Sequence, residues 1–252
     1  MSATPAMTDA IAPLPQNLDL WQSTVAWQPE ETEQALFQGL YEGVLAGNQR
    51  MNLTRIVEPQ EFWEKHIWDS VRGIFSAKVP ALETLRSHDP FADVDADGLP
   101  KTVISLLDIG TGGGFPGLPI AIVQPQWSVT LLDGTKKKIA FADELAQKLE
   151  LSNVTAIADR AEQIARQPDT RPQFDLVTAR AVGAADKCAG YALPLVANGG
   201  IAILYRGKWT AEEELSLKPI LREWGAEILA VDGFKTPLSE GDRHCVYLQR
   251  EP

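Results

Sequence analysis

At 252 residues, with 44% hydrophobic and 23% charged composition, the chain has room for one full domain plus an accessory segment of ordinary globular character. No apolar run approaches the ~20 residues of a membrane span, and the Ala/Pro-rich start, Met1 to Gln16, lacks the basic residues and apolar core of a secretory signal. Two distant cysteines, Cys188 and Cys245, and three scattered histidines point to a reducing cytoplasm without disulfide or metal, while a net charge of −11 argues against a uniformly basic nucleic-acid binder.

Residues 1–26 read as a disordered tail and 27–86 as an N-terminal helical segment. Within the latter, Pro29 and the acids Glu30, Glu31 and Glu33 suit a helix start, and Leu36, Leu40 and Val44 recur at helical spacing, which predicts a helix over Pro29 to Ala46. A second helix is predicted from Pro59 to about Phe75, after a break at Asn48 to Thr54. Residues 87–101 form an acidic loop. Its Asp93-x-Asp95-x-Asp97-Gly98 run looks like the start of a calcium loop, but the twelfth position is Ile104 where a glutamate is needed.

From residue 102 to 252 short apolar runs alternate with helical stretches. Strands are predicted at Val103 to Leu107, Val129 to Leu132, Val154 to Ala158, Leu176 to Thr178 and Ile201 to Leu204. Helices fall between them at Leu118 to Val123, Lys137 to Leu149, Ala161 to Arg166 and Ala185 to Val196. That alternation predicts an α/β, mostly parallel, doubly wound sheet. Ala226 to Val231 and His244 to Leu248 supply two further strands, one of them antiparallel.

The central signal is Asp108-Ile109-Gly110-Thr111-Gly112-Gly113-Gly114-Phe115-Pro116-Gly117. A strand ends at Asp108 and a helix starts near Pro116, so ligands are expected at this turn, beyond the carboxyl ends of the strands. Gly112, Gly114 and Gly117 satisfy the dinucleotide pattern G-x-G-x-x-G, so a pyrophosphate cofactor competes for the site. Asp108 opposes it, because a carboxylate there would face the pyrophosphate. S-adenosylmethionine has no phosphate, and its ammonium would welcome that charge. Asp133, ending the second strand, suits ribose hydroxyls, and Ala161 and Glu162 after the third strand suit adenine. The balance favours the methyl donor.

Asn52-Leu53-Thr54, Lys65-His66-Ile67-Trp68-Asp69-Ser70, the Asp108 to Pro119 run, Leu131-Leu132-Asp133, Phe174 to Ala181 and Gly241-Asp242-Arg243-His244 together resemble the small-subunit ribosomal RNA guanine-N7 methyltransferases, also called glucose-inhibited division protein B. The resemblance runs from about Asn48 to Leu248. It implies a Rossmann-like class I S-adenosylmethionine methyltransferase domain, preceded by the helical segment and acting on 16S ribosomal RNA or the small subunit. Carried over by position, Asp108, Gly110, Gly112, Phe115, Asp133, Gly134, Thr135, Ala161, Glu162 and Arg180 would form the cofactor pocket, with Arg180 also positioning the reactants. Gly113 departs from the family's commoner proline, and Arg206 from its lysine.

Lys65, His66, Arg206, Lys208, Arg243 and His244 are candidate RNA contacts. Each is equally readable as a packed or solvated side chain. Lys136 to Lys138 reads as a solvated helix start, and Trp63 and Trp68 as packing residues.

Overall fold

The computed structural model describes residues 11–92, 94, 100, 102–166 and 173–252; the aspartates of the calcium-like run lie outside them. The apolar runs become strands β1 (Ser105–Ile109), β2 (Ser128–Leu132), β3 (Val154–Ile157), β4 (Phe174–Arg180), β5 (Val196–Arg206), β6 (Ala226–Lys235) and β7 (Asp242–Arg250). They form one sheet in the order β3-β2-β1-β4-β5-β7-β6, with β7 antiparallel to both its neighbours. In the central strands buried residues run consecutively, because helices cover both faces; at the edge, β3 alternates half-buried and exposed. The first strand starts two residues later than predicted, since Val103 is 41% exposed and contributes nothing to the core.

The order reverses between β1 and β4, so the carboxyl ends of these two neighbours open the crevice in which an open α/β sheet binds its ligand. Glycines follow β1, and Arg180 ends β4.

Ahead of the sheet lie α1 (Leu18–Val25), α2 (Glu31–Asn48), α3 (Pro59–Phe62), α4 (Asp69–Arg72) and α5 (Pro80–Arg86). The other helices are α6 (Gly117–Val123), α7 (Lys136–Lys148), α8 (Ala161–Ala165), α9 (Ala185–Ala192) and α10 (Ala211–Trp224). One expectation needs correction here. Residues 18–25 belong to the folded domain: Trp21 is fully buried, edge-on to Trp63 at 5.4 Å, and Thr24 Oγ1 accepts from Trp68 Nε1 at 2.9 Å. An aromatic cluster of this size removes enough apolar surface to order the short helix that carries it. Trp63 and Trp68 are core residues.

The helix predicted from Pro59 to Phe75 is continuous but not uniform. Between α3 and α4 it widens into a π-helix over Trp63–Trp68, where the Asp69 amide reaches back to the Glu64 carbonyl. Such widenings gather at functional sites, and this one carries Lys65 and His66.

On α2, Gly39, Gly43 and Gly47 face α7. A Cβ at Gly47 would stand 2.2 Å from the Phe141 ring, and one at Gly43 would stand 2.3 Å from Leu145 Cδ1. The two helices therefore meet backbone to side chain. Gly47→Val is expected to cost about 1–3 kcal/mol by overpacking, read as a lower denaturant midpoint; an unchanged midpoint would show that the contact is loose.

Candidate cofactor and RNA site

The bend after β1 is closed by its own hydrogen bonds. Gly110 and Thr111 amides donate to the Leu132 carbonyl at the end of β2, and the Gly114 and Phe115 amides to Thr111. The Gly112 amide donates to Asp133 Oδ2 at 3.0 Å and the Gly117 amide to Asp108 Oδ2 at 2.9 Å. Gly110 has φ +70°, and a Cβ there would lie 2.2 Å from Val182 Cγ1, so glycine is required on both counts. Gly113 has no positive φ, and a Cβ there would meet nothing closer than 3.7 Å, so this position does not demand glycine.

Asp108 does not face the crevice as the sequence led us to expect. It is fully buried, and while one oxygen holds Gly117 the other accepts from Thr178 Oγ1 at 2.9 Å. Its carboxylate builds the bend from beneath. Burial pushes its pKa up to about 6, against the pull of those hydrogen bonds.

Two cavities meet at Gly110. The smaller, about 280 Å³, is lined by Asp133, Gly134, Thr135, Asp159, Ala161 and Glu162 among others. These are the expected ribose and adenine positions. Asp133 is half-buried, and its Oδ1 accepts from the Thr135 amide at 2.7 Å. Each of its oxygens keeps a further lone pair for a hydroxyl donor.

The larger cavity, about 500 Å³, is lined on one side by Gly110 to Gly113 and Phe115, and on the other by Lys65, His66, Asp69, Arg180, Arg206 and Arg243. Arg180 is its anchor. Nη1 donates to the Lys65 carbonyl at 3.1 Å and pairs with Asp69 Oδ2 at 3.2 Å, and the guanidinium lies 5.6 Å over the Phe115 ring. One cation thus ties the end of β4 to the π-helix and to the glycine bend. Asp69 is reached from the other side by Arg243 Nε at 3.8 Å. Burial pushes the Asp69 pKa up, while both arginines pull it down.

His66 stacks on Phe115 with ring centres 4.5 Å apart, and its Nε2 lies 2.7 Å from Thr54 Oγ1. Burial, reinforced by the charges of Arg180 and Lys65, lowers its pKa to about 3. The imidazole is therefore neutral at physiological pH. A folded pKa below the unfolded value near 6.5 gives stability that is complete above pH 6.5 and is lost as pH falls towards 3. The expected slope is about 1.4 kcal/mol per pH unit in that window, and His66→Phe should flatten it in urea titrations run from pH 7 to pH 4. An equal slope in both proteins would mean that the imidazole is solvated.

Of the six RNA candidates, Lys65, His66, Arg206 and Arg243 line the cavity. Lys208 is exposed just beyond β5, and His244 Nδ1 is held 2.6 Å from the Gly207 carbonyl. Arg206 is fixed by the Gly183 carbonyl and by Glu213, and Lys65 by Glu61. Sequence reasoning gave no role to Asp69, although an acid one turn after Lys65 was visible. It also missed Glu64, a buried carboxylate that caps Leu238 and Ser239 in the β6–β7 loop. Lys136 and Lys137 are exposed, as expected of a solvated helix start.

The signature of GidB, the rRNA small subunit methyltransferase G family, matches residues 33–245. The chain belongs to that family. It is 49% identical over 238 residues to the ribosomal RNA small subunit methyltransferase G of Microcystis aeruginosa, covering 94% of this chain and 99% of that one. The same-named protein of Trichormus variabilis is 47% identical over 237 residues, covering 94% and 90%. Among solved structures, an O-methyltransferase from Bacillus cereus in complex with SAH superposes with a TM-score of 0.56 at 15% identity, over 92% of this chain and 96% of that one. The fold is that of the class I methyltransferases, as the family resemblance implied. Matched residues include the bend, the π-helix, Arg180 and Arg243, so the cavity just described lies within the span that defines the family.

Proposed function

We propose that the protein transfers the methyl group of S-adenosylmethionine to N7 of a guanine in 16S ribosomal RNA, working in the cytoplasm without a metal. The observation that carries this reading is the closed bend. Six amides between Gly110 and Gly117 have acceptors within the protein, so the turn has little left with which to cradle a pyrophosphate. A phosphate-free nucleoside fits: Asp133, Thr135, Ala161 and Glu162 would hold its adenosine, and Gly110 and Phe115 its other end. The G-x-G-x-x-G match is geometrically a different turn, which disfavours a nicotinamide enzyme.

When bound, the cofactor supplies a methyl group on a positively charged sulfur. Guanine N7 carries a lone pair and no proton, so its attack needs no general base, only alignment. The cavity agrees with that demand: among the described residues lining it there is no nucleophile paired with a base, and His66 is held neutral. Transfer leaves a positive charge on the purine, and a neutral imidazole beside it adds no repulsion. Arg180 positions the wall of the cavity from behind. The base must leave its stack to enter, which favours a target in a loop or junction of the RNA.

The cations around the cavity support an RNA substrate despite a net charge of −11. Local potential steers RNA, and acid elsewhere does not cancel it at short range. The test is a map of N7-methylguanine in small-subunit RNA from cells with and without the protein. Loss of one mark is expected; an unchanged map would move the substrate to another RNA, a protein or a small molecule.

A further inference from the structure

We propose that Arg243 recognises the target purine through its O6 and so selects guanine over adenine; this rests on the guanine-N7 reading above. N7 and O6 of guanine lie side by side on one edge, whereas adenine has an amino donor where guanine has O6. A guanine that presents N7 to the methyl donor carries its O6 into the same cavity. A buried carbonyl left without a donor is costly, so the wall must supply one. It must also leave N7 unbonded, since a donor on that lone pair would block the reaction.

The cations of the wall differ in how firmly they are held. Lys65 is paired with Glu61, and Arg206 is tied to Gly183 and Glu213. Arg180 is 15% exposed and turned inward to Asp69 and the Lys65 carbonyl. Arg243 is 31% exposed, its Nε sits 3.8 Å from Asp69, its Nη1 donates to the neighbouring Asp242 carbonyl, and among the described residues its Nη2 has no partner.

Its placement follows from topology. Because β7 runs antiparallel to β5, the first residues of β7 lie beside the last of β5, with His244 opposite Arg206. Arg243 therefore stands at the crevice end of the sheet, with its neighbour His244 turned to the opposite face. Glu64 holds the preceding loop by three hydrogen bonds, which fixes where β7 begins. Asp69 sets the guanidinium from below without satisfying it. A guanidinium has donors and no acceptor, so it accommodates O6 and rejects the adenine amino group.

The experiment uses small-subunit ribosomal RNA assembled by ligation, with either guanine or 2-aminopurine, which lacks O6, at the methylated position. Methyl transfer from labelled S-adenosylmethionine gives kcat/KM for both RNAs with the unaltered enzyme and with Arg243→Met. The guanine preference of the unaltered enzyme is expected to exceed that of Arg243→Met by on the order of 10- to 100-fold. Differences in intrinsic N7 reactivity cancel in this ratio of ratios. Arg243→Lys, which keeps a cationic donor group but not the planar fork, should retain part of the preference and carries the test if the Met protein fails to bind S-adenosylhomocysteine. Equal preferences in all three proteins would overturn the assignment. So would an equal loss on both RNAs with a shallower salt dependence, because that would place Arg243 on a phosphate. Failure of the unaltered enzyme to methylate the guanine RNA at all would instead strike the reading on which this one rests.

Discussion

Asp108→Ala is expected to lower the unfolding free energy by about 2–4 kcal/mol and to abolish cofactor binding, whereas Asp108→Asn keeps the bend. The alanine leaves the buried Gly117 amide without its acceptor and the Thr178 hydroxyl with only the long contact to the Leu107 carbonyl. Asparagine can still accept from Gly117 through its oxygen and donate to Thr178, whose hydroxyl then turns to the Leu107 carbonyl 3.4 Å away. The charge itself is unfavourable here. A carboxyl whose pKa is raised to about 6 on folding gives stability that is complete below its unfolded value near 3.8 and disappears as pH rises through 6. Above that, the ionised group costs roughly 3 kcal/mol relative to its neutral form. Asp108→Asn should therefore be the more stable protein at pH 8 and should bind S-adenosylhomocysteine nearly as well as the unaltered chain. Calorimetry checks both points. An asparagine protein that bound as poorly as the alanine one would show that the negative charge acts on the ligand directly.

Arg180→Met is expected to cost about 3–5 kcal/mol, because it leaves Asp69 buried with only the distant Arg243 as partner. It also frees the Lys65 carbonyl and removes the cation above Phe115. Loss of activity in this variant alone would be ambiguous, since the π-helix carries much of the cavity. Adding Asp69→Asn removes the orphaned charge and should restore most of the lost stability. Methyl transfer should stay at least 100-fold below that of Asp69→Asn alone, an effect of about 2.7 kcal/mol on the transition state. Activity recovering together with stability would reduce Arg180 to a structural tie.

The sheet was legible because its strands are runs of Val, Ile and Leu flanked by Gly and Asp, and because helical spacing switches on between them. Even the closing antiparallel strand could be read. Three helices, α1, α5 and α10, were not. In α10 Leu217, Ile220, Leu221 and Trp224 recur at helical spacing and pack on the core, but Pro219 sits among them and the first turns are acidic, which masks the stripe. The cues were at its ends, in Thr210 accepting from the Glu213 amide and in Gly225 with φ +53°. In α1 Trp21 and Val25 do the anchoring, a single helical repeat that periodicity hardly detects in eight residues.

At the site, residue types were legible and their directions were not. Asp133, Ala161 and Glu162 line the expected half of the crevice, while Asp108 points beneath the bend to reach Gly117 and Thr178. Which way a carboxylate turns depends on donors nine and seventy residues away, and local sequence does not contain them. The π-helix is invisible for a similar reason. Its wide turn is stabilised from outside, by Arg180 on Lys65 and by the β6–β7 loop on Glu64.

Calorimetric titration of the purified protein with S-adenosylhomocysteine and, separately, with NAD measures most directly whether the bend holds a phosphate-free nucleoside. One site is expected for the former and none for the latter. Gly110→Val, which drives a side chain into Val182, should lose that site. Saturable binding of NAD, with S-adenosylhomocysteine ignored, would contradict the assignment of this crevice.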